Sequence, residues 1–296
     1  MFFRTTIRPF LAAGFVVIFT TAATDPVAVP IARAILDDAK PQSDREAIVK
    51  DNPKLSADLI AVMTSDLTAG TKEEYRRIPW IWRVAIAAGK RNDAEEMKRI
   101  LLVALPQNDQ PLDDWRVVVI GGGLINGITQ AGAWPSDRIA KMLPETDLAL
   151  ARWQRTLELA AIMTDNPKIA TGTRYDALRL LGVEPWDLHG AVLVRYQVKG
   201  THPELQMGAV SALGDVKAPG AAVAQVLISG LSHYDKTNRE LALDALIREE
   251  SRAIALLDAV AEGQIKSSDL GERRVATLKT FASEVVRRKA GEVLGR

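Results

Sequence analysis

The 296-residue chain contains no cysteine and only three histidines. The lack of cysteine excludes disulfides, thiolate zinc sites, covalent c-type haem attachment and a cysteine nucleophile. The histidines, His189, His202 and His233, are too scattered in the sequence to indicate a metal cluster. We therefore expect neither a resident metal nor a cofactor.

The chain also has few aromatic residues, at 5%, and almost no net charge, at +1. A protein without an overall positive field attracts neither nucleic acid nor anionic lipid, so we do not expect nucleic acid as a partner. Apolar residues make up 47% of the sequence, which is enough for a large core. Alanine and leucine dilute the β-branched residues, and this composition favours helices over sheets.

The N-terminus has the order of a secretory signal peptide, predicted for residues 1–23. Arg4 and Arg8 come first, an apolar run of ten residues follows at positions 10–19, and small residues follow near Ala23. The run is too short to span a bilayer comfortably. We expect a mature chain that starts near Thr24, has no membrane span and is periplasmic or secreted. The alternatives are a misassigned start, or the first buried helix of a longer protein.

The C-terminal half contains a repeat with steps of 32, 33 and 34 residues. Its markers are four alanines: Ala177, Ala209, Ala242 and Ala276. Three residues before each alanine stands a longer polar side chain: Arg174, Gln206, Arg239 and Arg273. Leucines follow at helical spacing, and a period near 33 residues is typical of stacked helical hairpins.

The N-terminal half is less regular but fits the same unit. The tetrapeptide Asp-Asn-Pro-Lys occurs at 51–54 and again at 165–168, each time before a helix or repeat. No linker is visible between the halves. We therefore expect irregular HEAT-like hairpins at 24–164, continuous with regular repeats at 165–296.

A glycine-rich segment at 121–132 interrupts this pattern. Glycine at this density disfavours a regular helix. No lysine follows it, as a phosphate-binding loop would require, so nucleotide binding is not expected. We expect a tight crossing between helices or a loop on one edge. The apolar stretch just before it, at 115–120, is predicted to be a buried helix rather than a strand.

Tryptophan is the residue most relevant to binding. Most of the six tryptophans are expected in the core, but Trp80 and Trp82 are two positions apart and cannot share one helix face. One is expected to face the core and the other a groove. As partner-binding residues we select Trp80, Trp82, Trp134 and, within the glycine-rich segment, Asn126.

These motifs carry a family resemblance. The C-terminal repeats resemble HEAT repeats of the phycobilisome-lyase-like kind. A further set of motifs resembles the HEAT region of planctomycete-type secreted haem-binding, membrane-bound dehydrogenase proteins: Gly-Gly-Gly-Leu-Ile-Asn-Gly at 121–127, Gly-Ala-Trp-Pro at 132–135 and Leu-Gly-Val at 181–183. Those proteins also carry a β-propeller and a cytochrome c domain. This chain has no Cys-x-x-Cys-His motif, so no haem site is transferred to it.

The expected fold is all-α, a right-handed α-solenoid of about seven to eight HEAT-like hairpins in an armadillo-type arrangement. The expected function is a non-catalytic extracytoplasmic scaffold for protein–protein interaction, with a redox protein or cytochrome as partner. Two alternatives stay open. One is an enzyme on a HEAT scaffold, either bilin-lyase-like or DNA-glycosylase-like. The other is a fragment of a split dehydrogenase gene.

Overall fold

The computed structural model describes residues 25–105, 115–218 and 221–295, and the predicted signal peptide lies outside these ranges. The described residues form sixteen α-helices and contain no β-strand, which confirms the all-α prediction. The helices are α1 (Ala28–Ile35), α2 (Gln42–Asp51), α3 (Ser56–Thr64), α4 (Lys72–Arg91), α5 (Ala94–Ala104), α6 (Trp115–Gln130), α7 (Pro135–Met142), α8 (Leu148–Thr164), α9 (Thr171–Leu181), α10 (Trp186–Arg195), α11 (Pro203–Asp215), α12 (Ala222–Gly230), α13 (Lys236–Leu246), α14 (Glu250–Ala261), α15 (Gly271–Lys279) and α16 (Glu284–Leu294).

Short polar side chains start several helices. The Thr71 side chain accepts a hydrogen bond from the backbone N–H of Glu74, and the Asp93 side chain accepts one from Glu96. Both satisfy an N–H group that the first turn of a helix leaves without a partner. Asn92, in the left-handed conformation with φ 58°, ends α4 directly before the cap of α5. Helix α5 therefore begins directly after its capping residue, Asp93.

Five helices pack side by side and form what we call the helix row: α4, α6, α9, α11 and α13, each in contact with the next. On one side of the row, α12 contacts α14, and α14 contacts α16. Successive helices along the chain also pair, as in α11 with α12 and α13 with α14. The contacts of α9 with α6 and α8 cross the boundary predicted at residue 165.

The glycine-rich segment is helical, so the prediction that glycine would interrupt the helix there is wrong. Helix α6 runs from Trp115 to Gln130 and is buried along most of its length, which confirms the helix predicted at 115–120. A Cβ added to Gly127 would lie 2.3 Å from the carbonyl oxygen of Ile86, and one added to Gly89 would lie 2.4 Å from that of Leu124. These glycines allow α4 and α6 to touch backbone to backbone, and the expected tight crossing is confirmed.

The alanine repeat holds for three copies and shifts in the fourth. Ala177, Ala209 and Ala242 are fully buried, whereas Ala276 is exposed. In α15 the side chain that turns inward is Arg274, one residue later than the repeat predicts. The sequence alignment of the fourth copy was therefore wrong by one position.

The polar residue of each repeat has a structural role in the first three copies. The side chains of Arg174, Gln206 and Arg239 donate hydrogen bonds to backbone carbonyls of Thr164, Val198 and Leu231, at 2.7, 3.4 and 2.6 Å. Each acceptor lies at or just after the end of an earlier helix, where carbonyls lack intrahelical partners. The repeated side chain thus ties each unit to the one before it.

No single helix in the described ranges is long and apolar enough to cross a membrane. Helices α6 and α7, which meet at 118°, would satisfy the length and composition criteria only as a bent pair.

Candidate functional site

Four side chains of the helix row each lie against a glycine of a neighbouring helix. Trp82 of α4 lies on Gly123: a Cβ added to this glycine would be 3.2 Å from the Trp82 ring. Glu204 of α11 lies beside Gly172, where an added Cβ would be 3.6 Å from a Glu204 carboxylate oxygen. A Cβ added to Gly122 would lie 2.4 Å from an Asp176 carboxyl oxygen, and one added to Gly208 would lie 2.9 Å from the backbone carbonyl oxygen of Tyr175 and 3.1 Å from its ring. We call this surface the glycine face, made of these residues: Trp82, Gly122, Gly123, Gly172, Tyr175, Asp176, Glu204 and Gly208.

A hydrogen bond bridges α4 and α9 over the glycines of α6. The indole Nε1–H of Trp82 donates to Oδ1 of Asp176 at 3.1 Å. Any side chain at Gly122 would collide with the Asp176 carboxyl, and one at Gly123 would meet the Cβ of Ala85 at 2.8 Å as well as the Trp82 ring at 3.2 Å. The glycines therefore leave room for two helices to join across a third, while the Trp82 ring stays partly exposed.

The Asp176 carboxyl is held in an environment that disfavours its charge. The residue is 3% exposed. Burial raises the pKa of Asp176 well above its ordinary value, and Glu204 adds to this, while the Trp82 hydrogen bond and the Arg179 charge oppose it. Burial is the largest cause, so the carboxyl keeps its proton at pH values where an exposed aspartate is ionised.

The seam between α9 and α11 is formed by a reciprocal exchange of side chains. Tyr175 reaches from α9 onto Gly208, and Glu204 reaches from α11 to Gly172. Within each helix these residues are three or four positions apart and share one face. Burial also raises the pKa of the Tyr175 hydroxyl. The seam thus places a partly exposed aromatic ring next to a carboxylate.

A buried ion cluster joins the C-terminal ends of the row helices. Asp215, at the end of α11, is fully buried. It accepts hydrogen bonds from Thr129 at 2.8 and 2.9 Å, from Arg179 at 3.0 Å, and from Arg248. Removing one partner from such a pair leaves an uncompensated buried charge, which makes the cluster a structural joint between α6, α9, α11 and the end of α13.

Trp134 lies beside this cluster and is stacked by cations. The Arg248 guanidinium carbon is 4.2 Å from the centre of a Trp134 ring, and Arg252 and Lys217 lie at 5.8 and 5.9 Å. Arg248 also donates to the backbone carbonyl of Ala133 at 2.5 Å. Stacking of this kind is attractive, and here it fixes the α6–α7 turn to the residues that follow α13.

The four residues selected from the sequence lie in different places. Trp80 is 5% exposed and packs under Arg45 and Arg83, with guanidinium carbons 4.3 and 4.9 Å from its ring centre. It faces α2, away from its neighbour Trp82, so the two do lie on different faces. Asn126 follows the glycines on α6 and accepts a hydrogen bond from Gln130 at 3.0 Å.

The sequence analysis selected Trp82, which lies on the glycine face, and Asn126, which follows its glycines on α6, but it missed three side chains of the face: Tyr175, Asp176 and Glu204. A signal for them exists in the sequence. Gly172 and Gly208 lie inside α9 and α11, and at each of them an atom of the neighbouring helix lies within 4 Å of where a Cβ would be. The role of the four selected residues in partner binding stays a prediction.

The described ranges contain no group of three or more histidine, aspartate or glutamate side chains arranged to hold a metal ion. No protein-family model, curated protein or solved structure matches the chain. The resemblance to HEAT-repeat proteins therefore stays a prediction from the sequence motifs.

Proposed function

We propose that the chain is a non-catalytic α-solenoid scaffold of HEAT-like hairpins that binds a protein partner on its glycine face. The observation that carries this proposal is the pair of partly exposed aromatic rings, Trp82 and Tyr175, each laid against a glycine of the next helix. Rings held in this way lose little conformational freedom when a partner covers them, and tryptophan and tyrosine are enriched among the residues that dominate interface energies.

The pattern of helix contacts supports the solenoid part of the proposal. Each row helix contacts the next, and three sequence repeats use the same side-chain position to reach the unit before. In a solenoid each unit buries its apolar face against its neighbours, and the stack offers an extended binding surface. The right-handed sense of the stack is part of the proposal.

The predicted signal peptide supports an extracytoplasmic location, periplasmic or secreted, for this scaffold. A redox protein or cytochrome as partner is supported by the resemblance to the HEAT region of haem-binding dehydrogenase proteins. The location and the partner are both part of the proposal, because a fold alone does not define either.

The enzyme alternatives, bilin-lyase-like or DNA-glycosylase-like, need an acid or base that a substrate can reach. Asp176 faces Gly122 beneath Trp82 and is 3% exposed, and Asp215 is fully buried among its arginine partners. These two carboxyls hold helices together, and neither is open to a substrate.

The test is affinity capture with the tagged full chain expressed in its own host. We expect one protein to co-purify in stoichiometric amount. Tyr175→Ala removes a partly exposed ring from the face and should lower the recovered partner by about tenfold or more. Leu188→Ala removes an exposed apolar side chain from α10, outside the row, and should leave recovery unchanged.

Equal recovery with Tyr175→Ala and the unchanged chain would contradict the assignment to the glycine face. Absence of any stoichiometric protein, with a chain that aggregates on purification, would favour the split-gene fragment instead.

A further inference from the structure

We propose that the α9–α11 seam of the glycine face is a docking site for an arginine side chain of the partner protein. This inference rests on the proposed function, because it names the chemistry of the partner for the same surface. Its two components are the ring of Tyr175 and the carboxylate of Glu204, which cross the seam in opposite directions.

Glu204 is the carboxylate of the seam that lacks a cation. Among the described residues, no lysine, arginine or histidine nitrogen lies within 4 Å of its oxygens. Several other acids of the row are paired with arginine, whereas Asp176 and Glu74, which like Glu204 have no such partner, are buried. Asp215 contacts Arg179 and Arg248, and Glu240 and Asp244 contact Arg274. The Glu204 charge is therefore open to a cation from outside.

A structural explanation for Glu204 also exists, because it lies in the first turn of α11 and a negative charge there interacts favourably with the helix dipole. That explanation accounts for an acid at this position. It does not account for the ring of Tyr175, which lies beside it and keeps one part exposed. Arg179, whose charge acts on the Tyr175 hydroxyl, is buried and neutralised by Asp215.

An aromatic face beside a carboxylate matches arginine better than lysine. The guanidinium is planar, so it can stack on a tyrosine ring while it donates to a carboxylate at its edge. Lysine presents a compact, strongly hydrated charge that fits only one of these contacts at a time. The partner segment should therefore present an exposed arginine at the seam.

The test is an NMR titration of the isotope-labelled full chain with N-acetyl-triarginine amide. The control probe is N-acetyl-tricitrulline amide, which has nearly the same shape but carries an uncharged urea group, with an oxygen in place of one NH2. We expect saturable shifts at the amides of Gly172, Tyr175, Glu204 and Gly208 with the arginine peptide alone, weakening as salt is raised.

Glu204→Gln and Tyr175→Leu should each lower the affinity for the arginine peptide by about tenfold. Glu158→Gln, which removes an exposed carboxylate from α8, should leave it unchanged. Equal binding of the citrulline peptide, shifts spread over other surfaces, no saturable shift, or an unaffected Glu204→Gln variant would each overturn the inference.

This experiment separates the inference from the proposed function. If affinity capture recovers a partner whose yield falls with Tyr175→Ala but not with Glu204→Gln, the scaffold proposal stands and the arginine site is wrong. If the arginine peptide binds at the seam and no protein is captured, the site stands and the scaffold proposal is wrong.

Discussion

Asp176 is a buried carboxyl with a raised pKa that links two helices. Its carboxyl lies where Gly122 lacks a side chain, it accepts a hydrogen bond from Trp82, and it joins α4 to α9. Nothing in the sequence around position 176 distinguishes it from a surface aspartate on a helix. Only the approach of three helices creates its environment, so this part of the site could not be predicted from the sequence.

Asp176→Asn should make the protein more stable at neutral pH and not at acidic pH. Below the ordinary pKa of 3.8, the carboxyl is protonated in both the folded and the unfolded state. As the pH rises toward the raised pKa of the folded state, ionisation stabilises only the unfolded chain, so stability is lost. The amide does not ionise and can still accept the Trp82 hydrogen bond.

Urea unfolding of both proteins at pH 3 and pH 8 measures this difference. The gap in the free energy of unfolding should widen by more than about 1 kcal/mol toward pH 8. Asp44→Asn on α2 is the control for loss of a charge from the surface. A gap that is the same at both pH values would show that Asp176 is ionised in the folded state.

At the scale of the elements, α6 shows how tertiary packing overrides local preference. Each glycine in a helix costs about 1 kcal/mol relative to alanine, which is why the sequence predicts an interruption at 121–132. The backbone contact with α4 requires residues without side chains, and its packing offsets the cost. The caps at Thr71 and Asp93, by contrast, depend only on a short polar side chain and the first turn of the helix that follows it.

The same substitution at two helical glycines should have opposite effects. Gly127→Ala would place a Cβ 2.3 Å from the carbonyl oxygen of Ile86 and should destabilise the protein by about 2 kcal/mol or more. The Cβ added by Gly291→Ala in α16 has no neighbouring atom within 4 Å, so this substitution should stabilise the protein by about 0.5–1 kcal/mol. Thermal unfolding of both variants and the unchanged protein measures the two changes in stability. A stabilising Gly127→Ala would mean that α4 and α6 are not in backbone contact.

At the scale of the whole molecule, stability is unevenly distributed along the chain. Helices α6, α9 and α11 are buried on most sides, whereas α2 has one buried residue and α15 and α16 have two each. The all-helical fold could be predicted from the repeat period, because the spacing of alanine and leucine residues shows that period directly in the sequence. The one-residue shift at Arg274 was hidden, because Ala276 matches the pattern without being buried.

Hydrogen exchange should follow this distribution. Amides of α6, α9 and α11 should exchange slowest, and those of α2, α15 and α16 earliest, because local opening needs least energy where few groups are buried. Exchange followed by mass spectrometry on the native full chain resolves these peptides. Equal protection from α2 to α16 would indicate a single cooperative unit. It would contradict the proposed solenoid, in which each unit is stabilised mainly by the units next to it.

The central claim is that a protein partner contacts the glycine face, and site-specific photo-crosslinking in living cells tests it most directly. A photoreactive phenylalanine analogue at position 126 replaces Asn126 beside the face, and the same analogue at position 158 replaces an exposed glutamate on α8. The account predicts a discrete crosslinked protein from position 126 and none from position 158. A crosslink from position 158 alone, or from neither position, would contradict it.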